Sequence, residues 1–208
     1  MREVMILFDY INGKLSYIDP AYIVVENNGL GYSILTANPF SYSSKLNTEV
    51  CIYTYLHVRE EIFVYYGFST RQERALFMKL LDVTGIGPKG ALAILAYGQP
   101  EQVIQAIENE DEAFLVKFPG IGKKTARQII LDLKGKLQHI VPDYFPNLFT
   151  IDKIEASMNA NADLEDAKEA LKALGYSDKE LKKIVPILEK EQLTTDGYIK
   201  LALKYLIR

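Results

Sequence analysis

The sequence predicts an α+β multidomain protein in which a small N-terminal β-barrel is followed by a central all-α domain, a flexible linker and a C-terminal three-helix domain. Three observations carry that expectation. Apolar and polar residues alternate through the first 68 residues, a helical period takes over from Thr70, and one glycine-rich heptapeptide occurs twice at a fixed offset.

Strands are predicted at Tyr10–Tyr17, Tyr22–Glu26, Gly31–Thr36, Glu49–Val58 and Ile62–Phe68, all rich in β-branched and aromatic residues. Asn27-Asn28-Gly29 marks a tight turn between the second and third, because Asn and Gly tolerate positive φ. Five short strands with no helix-length gap close most simply as an OB-like barrel. Ser69 and Thr70 are placed to cap a helix over Arg71–Val83, with Glu73 as capping-box partner. Further helices are predicted at Ala91–Tyr97, Pro100–Asn109, Glu112–Lys117 and Lys123–Leu137. Pro142, Pro146 and the small polar run Ser157–Ala162 then break the period, so residues 138–160 read as a linker with apolar spots at Tyr144, Phe145 and Phe149. Three short helices complete the chain: Leu164–Leu174 ended by Gly175, Asp178–Leu188, and Thr195–Leu206 capped by Thr194, Thr195 or Asp196. The expected domains are therefore 1–68, 69–137, 138–160 (linker) and 161–208.

Composition narrows the function classes. The chain has 208 residues, 49% hydrophobic and 25% charged, as ordinary folded proteins do. No stretch approaches ~18 consecutive apolar residues, and Asp9 interrupts the short apolar N-terminus, so neither a membrane span nor a signal peptide is expected. Residues 1–6 carry no expected function. A single cysteine, Cys51, and two histidines exclude an internal disulfide and a closed Cys/His zinc site, and the cytoplasm is the expected compartment. His57 lies on a strand and His139 near the linker, neither with an evident partner. No catalytic residue, metal or cofactor is expected. The net charge is −3, while residues 71–136 carry 10 Lys/Arg against 8 Asp/Glu. Long-range attraction does not bring such a molecule to nucleic acid, so any DNA contact must come from local geometry in that middle segment.

The internal repeat supplies such a geometry. Gly85-Ile86-Gly87-Pro88-Lys89-Gly90-Ala91 and Gly120-Ile121-Gly122-Lys123-Lys124-Thr125-Ala126 are offset by 35 residues, and the register extends to Leu80 with Leu115 and Ile94 with Ile129. Each copy reads as helix, Gly-Ile-Gly hairpin, helix. Two glycines bend the chain and, lacking Cβ, let an external group approach the backbone. The central Ile is expected to turn inward and pin the helices. The second helix starts at the hairpin, so its unpaired N–H groups and positive dipole end face an anion. Pro88 suits the first turn, and Lys89, Lys123 and Lys124 add charge beside the amides. The expected phosphate-binding set is Gly85, Gly87, Lys89, Gly90, Gly120, Gly122, Lys123, Lys124, Thr125 and Arg127.

Two enzymatic look-alikes fail on context. Gly85-x-Gly87-x-x-Gly90 matches a dinucleotide fingerprint, but Leu76–Leu81 before it reads as helix, not strand. Lys124-Thr125 echoes the end of a phosphate-binding loop, yet Lys117 and Lys123 stand where glycines are needed. A structure-specific nuclease or glycosylase would need an acidic metal cluster or a catalytic Lys/Asp near the second hairpin, where only Asp132 and Lys134 stand. An adaptor dominated by its tail is the third class.

With the barrel, tandem hairpins, linker and tail in this order, the chain resembles the RuvA family of bacterial Holliday-junction branch-migration subunits over essentially its whole length. The strings that carry the resemblance are Gly29-Leu30-Gly31-Tyr32, Val58-Arg59-Glu60-Glu61, Tyr66-Gly67-Phe68, Thr84-Gly85-Ile86-Gly87-Pro88-Lys89, Ala91-Leu92-Ala93-Ile94-Leu95 and Phe118-Pro119-Gly120-Ile121-Gly122-Lys123-Lys124-Thr125-Ala126. The resemblance implies a non-catalytic homotetramer, or an octamer of two tetramers, holding four-way junction DNA open and planar. It implies that Glu60 and Glu61 form an acidic pin at the crossover; Arg59 beside them is a candidate phosphate contact, the alternative being that it neutralises those glutamates. The segment Ala167–Tyr176 resembles a UBA-like module, implying that the tail binds a RuvB-type hexameric ATPase, which consumes the ATP, with Leu171, Leu174, Tyr176 and Leu181 as candidate contacts. A RuvC-type junction resolvase is implied in the same complex. One departure is Gln128, where the family often has Arg; the nearby arginine here is Arg127.

Overall fold

The structure, a computed structural model, describes residues 8–60, 62–97, 100–137 and 160–207. It divides into two compact units, Met1–Arg74 and Ala75–Arg208. The expected linker, 138–160, lies outside the described residues except at its last position, where Ala160 already begins a helix.

The first unit is an OB-like barrel of five strands: β1 (Tyr10–Ile18), β2 (Tyr22–Asn27), β3 (Leu30–Thr36), β4 (Glu49–Arg59) and β5 (Ile62–Phe68). The strand order β1-β2-β3-β5-β4 closes through antiparallel pairing of β1 with β4, and only β3 with β5 is parallel. Alternation puts Ile11, Leu15, Ile23, Val25, Ile34, Val50 and Ile52 inside. The β2–β3 turn is the predicted one, with Asn28 at φ 50° and Gly29 at φ 78°. Gly67 sits where β3, β4 and β5 converge: a Cβ there would lie 2.4 Å from Ile34 Cγ2 and 2.7 Å from Ile52 Cγ2.

Two features of this unit were not predicted. A 3-10 helix, Pro39–Lys45, connects β3 to β4 and drops Tyr42 into the barrel core, where its hydroxyl meets Ser69 Oγ at 2.9 Å. Burial pushes the Tyr42 pKa up to about 12. The second is Arg74, only 7% exposed, whose guanidinium donates to the Asp9 carboxylate at 2.6 Å and to the Asp9 carbonyl at 2.7 Å. Arg71 donates to the other Asp9 oxygen at 2.8 Å and lies over the Tyr53 ring.

The helices are α1 (Arg71–Leu81), α2 (Pro88–Ala96), α3 (Pro100–Glu108), α4 (Glu112–Leu115), α5 (Lys123–Leu133), α6 (Ala160–Leu174), α7 (Asp178–Leu188) and α8 (Thr195–Leu206). Thr70 caps α1 by accepting from the Glu73 amide at 3.1 Å, and the Glu73 carboxylate accepts in return from the Ser69 amide at 2.8 Å. Helix α5 stops short of its predicted end because Gly135 turns to φ 73°. In the C-terminal bundle Gly175, at φ 107°, ends α6, and Ser177 with Glu180 forms a reciprocal capping box on α7. Thr194 is the residue that caps α8.

Candidate nucleic-acid interface

The two hairpins have the same construction 35 residues apart. In the first, the Ile86 amide donates to the Val83 carbonyl at 3.1 Å; in the second, Ile121 donates to Phe118 at 3.1 Å. Val83 and Phe118 are buried at 2% and 1% exposure, so each hairpin hangs from a core residue. Gly85 and Gly120 follow at φ 94° and 77°, a region costing an ordinary L-residue roughly 1–2 kcal/mol. The chain then extends through Gly87 (φ −98°) and Gly122 (φ −88°) into α2 and α5. Their carbonyls accept the first helical bonds, from Ala91 at 3.1 Å and Ala126 at 2.9 Å. The central isoleucines differ: Ile121 is buried as expected, whereas Ile86 is half-buried.

What these N-termini lack is a side-chain cap. Gly87 and Gly122 have no side chain to accept from the first turn. Elsewhere Thr70, Asp111, Ser177 and Thr194 each accept from an amide three residues on. The first-turn N–H groups of a helix have no partner within it. At α2 these are the amides of Lys89 and Gly90, since Pro88 has none; at α5 they are those of Lys123, Lys124 and Thr125. A Cβ built on Gly87, Gly120 or Gly122 would meet nothing within 4 Å, so the approach is open. At Gly85 it would meet Thr125 Oγ1 at 3.3 Å, which places the first bend against the first turn of α5. Gly90 is not needed sterically, since its nearest neighbour would be Ile86 Cγ2 at 3.9 Å.

Lys89, Lys123 and Lys124 are exposed, and among the described residues none is in an ion pair. Arg127 is differently placed from what was expected. Its Nε donates to both carboxylate oxygens of Glu112, at 2.9 and 3.0 Å, which ties α5 to α4. Gln128 bonds Asp132 on its own helix. Bare amides, three exposed lysines and an open approach together have the chemistry to hold an anion such as phosphate, whose contacts position a duplex without reading its bases.

Arg59 and Glu60 are exposed at the β4–β5 turn, and Glu61 lies outside the described residues. Burial and the neighbouring Arg59 charge hold the His57 pKa below its ordinary value, which favours the neutral ring. The four side chains suggested for a partner-facing patch in the tail are not on the surface. Leu171, Leu174, Tyr176 and Leu181 are 0%, 6%, 3% and 4% exposed, because the helical spacing that groups them also turns them into the bundle core. The Tyr176 hydroxyl is buried without a hydrogen-bond partner, and that burial raises its pKa. Among the described residues, no three His, Cys, Asp or Glu side chains are placed to hold a metal, and no helix is long and apolar enough to cross a membrane.

Comparison with known proteins agrees with this geometry part by part. Residues 5–67 match the family described as RuvA N terminal domain, 77–135 the SAM-like helix-hairpin-helix tandem, and 162–207 the RuvA C-terminal domain. A protein from Anoxybacillus flavithermus named Holliday junction branch migration complex subunit RuvA is 60% identical over 202 residues, covering 97% of this chain and 100% of that protein. Proteins of the same name from Bacillus cereus and a Geobacillus species are 56% and 55% identical, over 97% of this chain and 98% and 100% of their own lengths.

Proposed function

The chain belongs to the RuvA family of Holliday junction branch migration complex subunits, and from that membership we propose that it binds four-way junctions and brings the ATP-driven RuvB motor to them. It is a non-catalytic subunit: it needs no cofactor, and the motor consumes the ATP. Each subunit grips phosphate through the amides of α2 and α5 with Lys89, Lys123 and Lys124. Four subunits form a homotetramer around the junction, with two tetramers able to sandwich it in an octamer. Glu60 and Glu61 stand at the crossover, where their charge repels phosphates and guides strands apart into the arms. Arg59 lies beside them and balances part of that charge. The C-terminal three-helix module carries the RuvB contact, and a RuvC-type resolvase acts in the same cytoplasmic complex.

The observation that supports this reading best is the contrast in helix caps. Among the α-helices whose caps are described, only α2 and α5 begin on a residue with no side chain to offer their amides. Lys123→Glu with Lys124→Glu, in the intact protein, tests it against a synthetic four-way junction, a linear duplex and Mg²⁺. Junction-selective binding without cleavage is expected from the parent and its loss from the variant, with the melting temperature kept. Neutralising the same lysines as Gln lowers the salt slope by about 1.8 per subunit, at roughly 0.9 per phosphate contact. Unchanged affinity at moderate salt refutes the phosphate grip, and cleavage of the junction favours a nuclease.

A further inference from the structure

The β4–β5 hairpin outruns the barrel that carries it. Among the described residues, β1 pairs with β4 between Glu49 and Tyr53, with a further bond from the Thr54 amide to the Asp9 carbonyl at 3.0 Å, and β3 pairs with β5 between Tyr65 and Gly67. Beyond those points, among the described residues, β4 and β5 pair with each other: His57 opposite Val64, Val58 opposite Phe63, Arg59 opposite Ile62. As described, the outer end is a two-stranded ribbon at the barrel rim.

Its composition does not suit open water. The inward-facing parity of β4 runs Ile52, Thr54, Leu56, Val58, and that of β5 runs Gly67, Tyr65, Phe63. Inside the barrel Ile52, Thr54 and Gly67 are buried, and farther out Leu56 and Tyr65 are half-buried, Tyr65 still packing on the core. One pair farther out the same parity delivers Val58 and Phe63 to solvent at 54% and 72% exposure, with Ile62 on the opposite face at 50%. Phe63 is an aromatic ring presented close to the Glu60 turn, 72% exposed, and among the described residues its strand neighbour there is β4 alone.

We propose that Phe63, backed by Val58, is a stacking platform for an unpaired nucleobase at the open centre of the junction. This rests on the reading that the protein holds a four-way junction with this turn at the crossover. Charge and size favour that occupant. A carboxylate at the tip repels phosphate, so the ribbon disfavours backbone, whereas a base face is flat and uncharged. Three apolar side chains on two faces of a narrow ribbon fall far short of the roughly 1,000 Å² a stable protein–protein contact needs. A single ring, by contrast, suffices to stack one base, and stacking tolerates any sequence, as branch migration requires.

The test uses the full chain and a four-way junction carrying 2-aminopurine at the crossover, with light scattering in parallel. The parent is expected to change the fluorescence of the crossover probe, and a probe in an arm to stay silent. Phe63→Ala should abolish the crossover signal and weaken junction binding about fivefold to tenfold, with duplex binding and particle mass unchanged; Phe63→Trp should restore both. A crossover signal that survives Phe63→Ala overturns the platform. A fall in particle mass with Phe63→Ala also overturns it, by assigning the ring to a second copy of the chain. If the parent shows no junction binding at all, the underlying functional reading fails instead, which is a different result.

Discussion

Giving α2 and α5 the caps they lack separates stability from binding. Gly87 and Gly122 have extended φ, and a Cβ on either meets nothing within 4 Å, so serine fits both without strain. Serine in place of glycine improves the cap by a few tenths of a kcal/mol and restricts the unfolded chain by about 0.4–1 kcal/mol. The double variant should therefore be more stable by about 1–2 kcal/mol, a rise of a few degrees in melting temperature. The same hydroxyl occupies an amide that phosphate needs. A hydrogen bond to a charged group contributes about 1.5–3 kcal/mol, so each serine should weaken junction binding by about tenfold and the pair by about a hundredfold. Calorimetry and an equilibrium junction-binding assay at fixed salt measure the two quantities on one preparation. Gly120→Ala is the opposite control: its φ of 77° costs the fold about 1–2 kcal/mol, but its methyl covers no amide. A double serine variant that melts higher and binds junctions as the parent does would refute the phosphate grip by main-chain amides.

Glu60→Gln should leave duplex binding intact while narrowing the preference for junction over duplex, measured by competition; an unchanged preference removes Glu60 from the pin. In the barrel, Arg74→Met should lower stability by about 2 kcal/mol, below the roughly 3–5 kcal/mol of a fully buried pair because Asp9 is 40% exposed. Acid titration of the two proteins adds a signed test. Hydrogen bonds from Arg71, then Arg74, hold the Asp9 carboxyl below its ordinary pKa, so the unfolded chain binds its proton more readily. That stabilisation is complete above the ordinary carboxylate value and is lost as pH falls through the depressed one. Arg74→Met should therefore lose less stability between about pH 4 and pH 2 than the parent, followed by circular dichroism; parallel acid limbs would refute the linkage.

The sequence was most legible where a residue's role is set by its immediate neighbours. Asn28-Gly29 fixed its turn through positive φ, and the repeated Gly-Ile-Gly fixed two bends and two helix starts, because those constraints act within four or five residues. Contacts between distant residues left no such mark. Asp9 and Arg74 are 65 positions apart, and nothing in either's surroundings signals the other. Arg127 joins the expected phosphate ligands as the arginine next to the family's usual position, and its bond to Glu112, 15 residues upstream, leaves no trace in the sequence around it. The 3-10 helix Pro39–Lys45 has no amphipathic period and exists because Tyr42 fills the barrel. Periodicity also cannot say where a sheet ends. Val58 and Phe63 continue an inward alternation that is correct for the strand and yet emerges beyond the barrel.

The two hairpins share their bends but not their capacity to hold an anion. The first helix turn of α2 offers two amides and one lysine, because Pro88 takes the place of a donor; that of α5 offers three amides and two lysines. Thr125 also stands against Gly85, so the first turn of α5 is braced by the first bend, while Gly120 has no such neighbour. The second hairpin should thus supply the greater share of phosphate binding and the first a second point of attachment that fixes orientation. Gly122→Ser alone is then expected to cost more affinity than Gly87→Ser alone. Equal losses would mean that the one extra donor of α5, the Lys123 amide that Pro88 replaces in α2, is not used, and that each hairpin binds through no more amides than the first one has.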